Sequence, residues 1–298
     1  MSNHYVNLLA QAERLRRHNR QGSYKTKERY FEAYKRFLRF VGETFRLQKL
    51  RNISGKHLAA YVEHMQQKGY AASTVKTDLA AIRFWQDQIP DAKYVLPDNR
   101  GFELQRRQFG GVDRRWSERE FNRMLALCRE SGRRNYEACI VLAYYAGLRL
   151  HEALRIDTAM ARAALKTGIL TIKGKGGKIR EAPINETIRI EFRHFLAITP
   201  PGQKLFVPQD KPTHLVKTAL QNFIAAQRAA IADADSDRTL TFHGLRHTCA
   251  ARWYLQFIRE GKTDHEAKQE VSRLLGHERE DVTRIYLAGV EKTGDSSV

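Results

Sequence analysis

Apolar residues recur at helical spacing through the first third of the chain. From Ser23 onward Tyr30, Tyr34, Phe37 and Val41 share one face, with Phe31 and Leu38 beside it. Ser54 is placed to cap a second helix, whose Leu58, Tyr61, Val62 and Met65 form one stripe, and Lys68-Gly69 marks its end. Ser73 is placed to cap a third, carrying Val75, Leu79, Ile82 and Trp85 and stopped by Pro90. These elements predict an all-α unit over residues 23–95. The preceding residues, 1–22, are polar and basic (Arg14, Arg16, Arg17, Arg20) and read as a basic arm or a short helix.

The periodicity lapses between Leu96 and Arg115, where Pro97, Gly101, Gly110 and Gly111 mix with Arg100, Arg106, Arg107, Arg114 and Arg115. Glycine and charge without a period predict an exposed connector over 96–115, one that either crosses a phosphate backbone or is merely a solvated loop. A second unit, 116–298, opens on the capping box Ser117-Glu118-Arg119-Glu120 just before Phe121, Met124, Leu125 and Cys128. A helix through Tyr136, Ile140, Val141 and Tyr144 ends at Gly147. The pattern then changes period: Ile169–Ile172 and Ile179–Ile184 flank the glycine-rich Lys173–Lys178, which reads as a β-hairpin. Helical character returns over Leu215–Ile231, Leu245–Arg259, Glu266–Leu275 and Val282–Leu287. The fold class is therefore mainly α with a small antiparallel sheet, in two domains.

Charge narrows the possible partners. The 298 residues carry a formal net charge of +19, from 52 Lys and Arg against 33 Asp and Glu. Residues 1–114 alone hold 22 basic and 11 acidic side chains, the more basic part per residue. Such an excess favours a polyanion, first nucleic acid and second an anionic membrane surface. No run approaches the roughly 18 apolar residues of a membrane span, and Met1-Ser2-Asn3-His4 lacks a secretory signal pattern. Cys128, Cys139 and Cys249 lie far apart in apolar helical stretches, without metal-type spacing, and read as buried thiols in a reducing cytoplasm. The eleven histidines form no ligand pattern, so no metal and no cofactor are implied.

Cutting a phosphodiester without a metal calls for permanent cations on the nonbridging oxygens, groups that move protons, and a nucleophile. Arg149 and Arg246 are candidates for the first role. Arg149 follows Gly147 and can project from a turn, although an i, i+3 surface pair with Glu152 accounts for it as well. His243 and Arg246, also i, i+3, share a helical face, whereas His247 reads as a packing residue. His277 follows Leu274-Leu275-Gly276, a helix end with a capping glycine, and could simply complement that terminus. Tyr286, one of twelve tyrosines, would in isolation be read as core, and a phenol of ordinary pKa ~10 needs help to lose its proton.

In order and spacing, Gly147-Leu148-Arg149 with Glu152, the glycine-rich turn with its lysines, His243-Gly244-Leu245-Arg246-His247, Leu275-Gly276-His277, and Tyr286 nine residues on resemble the tyrosine recombinase (phage integrase) family. The resemblance spans roughly residues 115–290. It implies a mixed α/β catalytic domain there and a SAM-like core-binding domain in the N-terminal helices. By the same resemblance Tyr286 is the nucleophile forming a 3′-phosphotyrosyl bond, and Arg149 and Arg246 stabilise the transition state. His243 assists the tyrosine's proton transfer, His277 donates to a nonbridging oxygen, and Glu152 buttresses the arginine and histidine. Lys175 fits best as the lysine that protonates the leaving 5′ oxygen, with Lys173 and Lys178 as alternatives. The size is similar to that of compact Xer-like or mobile-element integrases, and the segment after Tyr286, which in that family often docks on a neighbouring subunit, is short.

The implied activity is site-specific recombination of double-stranded DNA through a Holliday junction. It would serve integration and excision of a mobile element or dimer resolution, by a homotetramer on two synapsed sites. The implied setting is the cytoplasm, at the nucleoid, with room for an accessory directionality factor and no membrane partner. Two rival readings remain: a catalytically silent DNA-binding protein, and a type IB topoisomerase-like enzyme.

Overall fold

Four helices build the first unit among the described residues: α1 (Asn3–His18), α2 (Tyr24–Thr44), α3 (Gly55–Gln67) and α4 (Ala72–Gln86). The structure is a computed structural model that describes residues 2–19, 24–105, 112–174, 177–234, 236–276, 280–288 and 290. The chain divides into two compact units, Met1–Gln108 and Phe109–Val298. The core of the first is formed by the expected stripes, with Phe31, Tyr34, Phe37, Leu58, Leu79 and Trp85 all buried. Inside it Asp78 is buried and accepts two hydrogen bonds from Arg36 Nη2, at 2.8 and 3.0 Å, and one from Tyr61 Oη at 3.2 Å. Pairing of this kind is what lets a carboxylate sit among aromatic rings.

Three details differ from the sequence reading. First, of the two readings of residues 1–22, a basic arm or a short helix, the helix holds, and it is a 16-residue one, α1, whose Tyr5, Leu8 and Ala12 are buried in the same core. A stripe at i, i+3 and i+7 anchors this helix while its arginines face outward. Second, α4 starts at Ala72 with Ala71 as its cap, so Ser73 lies inside the first turn and its carbonyl accepts from Thr77 Oγ1 at 2.7 Å. Third, the connector divides between the units. Leu96, Phe102 and Leu104 pack on the first core, and Arg83 Nε donates to the Pro97 carbonyl at 2.8 Å. Trp116 belongs to the second unit, donating from its backbone to Thr248 Oγ1 at 2.8 Å and from Nε1 to the Thr241 carbonyl at 2.9 Å.

The second unit opens with α5 (Glu118–Glu130), and its capping box is formed in full. Ser117 Oγ accepts from the Glu120 N–H at 3.1 Å and Glu120 Oε2 accepts from the Ser117 N–H at 2.7 Å. Next comes α6 (Arg134–Ala146), with Ala138 to Ala143 buried without interruption, so it runs through the middle of the core. A one-turn helix, α7 (Leu150–Ala153), precedes α8 (Thr158–Thr167). The hairpin pairs β1 (Ile169–Lys173) with β2 (Ile179–Pro183) antiparallel, Ile169 opposite Pro183 and Lys173 opposite Ile179. Its inner face carries Leu170, Ile172, Arg180 and Ala182.

The remaining helices are α9 (Glu186–Ile198), α10 (Thr213–Ile231), α11 (Phe242–Arg259), α12 (Asp264–Leu275) and α13 (Glu280–Tyr286). Helix α11 packs on α6, and α12 packs on α11 and on β2. A smaller apolar cluster of Cys249, Trp253, Val271, Leu275, Tyr286 and Leu287 seats α13 beside α11. All three cysteines are buried and unpaired. No helix among the described residues is long and apolar enough to cross a membrane.

Candidate active site

Three local features bring the candidate residues to one place. Helix α6 ends at Gly147, in the left-handed region at φ 61°, which turns the chain so that Arg149 caps α7. Thr241 caps α11 by accepting from the Gly244 N–H at 3.2 Å, which sets His243 and Arg246 in the helix's opening turns. Helix α12 ends at Gly276, also left-handed at φ 65°. A Cβ on Gly276 would lie 2.8 Å from Arg180 Cδ, so the backbone there approaches Arg180 as closely as a glycine permits.

Glu152 is the hub. Its Oε2 accepts from the Arg149 N–H at 2.9 Å and from Arg180 Nη2 at 2.8 Å, and its Oε1 accepts from Arg149 Nη1 at 2.9 Å. Arg246 Nη1 stands 4.0 Å from the same carboxylate. Burial alone would raise the Glu152 pKa. The Arg180 charge, the backbone bond at Arg149, the Arg180 hydrogen bond and Arg246 outweigh that and hold it at about 2. Three guanidiniums around one carboxylate leave a net positive site, suited to an anion.

Arg246 is fully buried. Its guanidinium donates to the carbonyls of Gly147 and Leu275, beneath the Tyr286 ring, with Cζ 5.5 Å from the ring centroid. Desolvation first, then Arg149 and Arg180, lower its pKa to about 10, so it remains a cation at neutral pH. Arg149 is the more open of the two, with about a third of its side chain exposed.

Tyr286 lies against both histidines of α11. Its Oη is 3.1 Å from His243 Nε2, and its ring stacks on His247 with centroids 4.4 Å apart. His243 is an exposed residue, yet desolvation first and then Arg246, Arg149 and Arg114 hold its pKa down at about 4. A neutral imidazole protonated on Nδ1 has its Nε2 lone pair free to accept the phenolic hydrogen. That is the geometry of a general base beside a nucleophile.

The expected site residues that the structure describes can therefore be followed individually. Arg149, Glu152, His243, Arg246 and Tyr286 come together; the alternative lysines Lys173 and Lys178 stand at the hairpin's turn end, both exposed. Lys175 and His277 lie outside the described residues, as do Arg106 and Arg107. Arg180 is the residue that sequence reasoning missed. A charged residue on the inner face of an alternating strand was the available signal. Among the described residues no three His, Cys, Asp or Glu side chains converge as a ligand set for a metal.

Both units have counterparts among known proteins. The phage integrase family matches residues 114–292, and the phage integrase N-terminal SAM-like domain matches residues 8–94. Tyrosine recombinase XerD of Caulobacter vibrioides is 32% identical over 179 residues, covering 56% of this chain and 54% of that protein. The chain thus spans about half the length of that relative. Tyrosine recombinase XerC of Yersinia pestis is 25% identical over 252 residues, covering 83% of this chain and 78% of that protein. A lambda integrase dimer bound to a COC′ core site shares the fold, with a TM-score of 0.68 at 15% identity, over 98% of this chain and 80% of that one. With well over half its length matched by the family and both units accounted for, the chain belongs to the phage integrase family.

Proposed function

We propose that the chain is a site-specific DNA recombinase that cuts and rejoins strands through a covalent 3′-phosphotyrosyl intermediate. The observation that carries this reading is Tyr286 Oη at 3.1 Å from His243 Nε2, on a floor of Arg246 and beside Arg149. In the proposed step Oη attacks the scissile phosphorus and the bond from phosphorus to the 5′ oxygen breaks. The phenolic proton passes toward His243, and Lys175 supplies the proton that the departing 5′ oxygen takes up. Arg149 and Arg246 hold the nonbridging oxygens as their charge grows, His277 donates to one of them, and Glu152 keeps the arginines in register. Attack by a 5′ hydroxyl from the partner strand reverses the step, so the bond energy is retained in the phosphotyrosine.

In the full reaction four copies act on two synapsed sites and pass through a Holliday junction, within nucleoid DNA. Integration and excision of a mobile element or resolution of a dimer is the task, with a directionality factor as accessory partner. Support for the DNA partner is the net charge of +19 together with family membership.

Covalent capture tests this reading. Purified protein is incubated with sheared genomic DNA of the source organism and quenched in SDS, and the attached fragments are sequenced. One recurrent short site, lost in Tyr286→Phe, is the expected result. Attachment at many unrelated sites with relaxation of any supercoiled plasmid would point instead to a topoisomerase-like activity. No attachment while DNA binding persists would leave a binding protein.

A further inference from the structure

The inner face of the hairpin holds Leu170, Ile172 and Ala182, all apolar, and one arginine. Arg180 is 7% exposed. Removing a guanidinium from water is costly, and a leucine or isoleucine would fill such a place at no electrostatic penalty. The contacts of Arg180 show what the charge does there. Nη1 donates to the Leu274 carbonyl at 2.8 Å, and Nη2 donates to Glu152 Oε2 at 2.8 Å and to the Gly147 carbonyl at 3.4 Å. Arg246 donates to the same Gly147 carbonyl and to Leu275, the next residue of α12. One guanidinium thus joins the hairpin, the turn bearing Arg149 and Glu152, and the end of α12, and it holds the same backbone that orients Arg246.

We infer that Arg180 is a positioning residue for phosphoryl transfer: it fixes Glu152 and the carbonyls of Gly147 and Leu274 so that Arg149 and Arg246 present their guanidiniums to one phosphate together. This rests on the recombinase reading above. Being buried, Arg180 does not itself reach the substrate; it acts through Glu152 and the backbone. A lysine cannot replace it, because an ammonium lacks the planar fork needed to address a carboxylate and two carbonyls at once. The hairpin is also closed at its turn end, where the Gly174 N–H donates to the Lys178 carbonyl at 2.7 Å, so Arg180 links the strand leading from that turn to the arginine site.

The test compares Arg180→Lys and Arg180→Gln with wild type in the full-length chain, using the sheared genomic DNA described above. The rate of SDS-stable adduct formation at saturating DNA, the DNA affinity and the thermal midpoint are each measured. Expected for both variants are a rate roughly 100-fold lower, the scale of a misplaced catalytic group, and DNA affinity within about twofold of wild type. A purely structural tie would not move the acid limb of the rate profile. His243 sets that limb in the wild type, and Glu152, which faces Arg149, Arg180 and Arg246, titrates below it; without the Arg180 charge in Arg180→Gln the Glu152 titration rises toward that of His243, and the limb steepens and moves to higher pH. The double variant Arg180→Gln with Glu152→Gln should be no slower than the slower single variant.

Rates within threefold of wild type in folded variants would overturn the inference, as would a loss of DNA affinity that accounts for the whole effect. Failure of both variants to fold would assign Arg180 to stability alone and overturn it too. Absence of any adduct with wild type is a different failure, one that removes the recombinase reading itself.

Discussion

His247 is placed where an imidazole must stay neutral. It is 2% exposed, its ring stacks on Tyr286, and its Nδ1 has no hydrogen-bond partner. Desolvation first, then His243, Arg114 and Arg246, hold its pKa down at about 3, against about 6.5 in an unfolded chain. The unfolded state therefore takes up the proton first as the pH falls. The stability that this histidine permits is complete above about pH 6.5 and is lost progressively down to about pH 3, a change on the order of a few kcal/mol. In His247→Phe, which keeps a ring against Tyr286 and cannot ionise, the acid branch of the denaturation midpoint should flatten. An acid branch identical to wild type would contradict a buried neutral His247. At this scale the sequence marked Arg149, Glu152, His243, Arg246 and Tyr286, because motif order distinguished them. It did not mark Arg180, whose partners Glu152 and Leu274 are 28 and 94 positions away. The strand's alternation points Arg180 inward, but partners at such separations leave no local pattern that tells what it holds.

Elements were legible where their signals are local. The box at Ser117 and Glu120 and the stripe through Phe121 and Leu125 fix α5, and the glycine-rich turn fixes the hairpin. Helix α9 escaped notice although Ile188, Phe192 and Phe195 form its buried stripe. Glu191 interrupts that stripe with a buried carboxylate, made tolerable by Arg134 of α6 at 3.2 Å, a partner invisible from the neighbouring sequence. Helix α8 buries only Thr158, Ala161 and Ala164, side chains too small to give a strong period. The start of α11 depends on a contact that no periodicity reveals. A Cβ on Gly244 would stand 2.3 Å from the Arg114 carbonyl and 2.9 Å from Trp116 Nε1. Neither is the free end of a flexible chain, so the backbone must move. Gly244→Ala should cost about 2 kcal/mol or more and lower the thermal midpoint of this unit by several degrees. A midpoint within one degree, by the ~2–4 °C per kcal/mol scale, would show that segment 112–116 yields freely.

Across the whole molecule, charge is distributed in two ways. Many arginines of the second unit are engaged by carboxylates: Arg238 with Glu120, Arg129 with Glu137, Arg134 with Glu191, and Arg180 with Glu152. These pairs tie buried carboxylates into the unit, so a large share of its basic side chains is already matched by an acidic partner. The first 114 residues carry twice as many basic as acidic side chains, 22 against 11, and much of the excess is on outward faces of α1 and α2. If that excess grips a phosphate backbone, binding releases condensed counterions, and affinity falls with a log–log slope near −0.9 per phosphate neutralised. Six or more contacts would give a slope steeper than about −5. Affinity of the full chain for a fixed duplex, measured by titration from low to moderate salt, gives that slope directly. Tyr286→Phe should show the same slope as wild type, because the phenol takes no part in neutralising phosphate. A slope near zero would remove the polyanion reading of the basic N-terminal unit while leaving the Tyr286 chemistry to be judged by covalent capture alone.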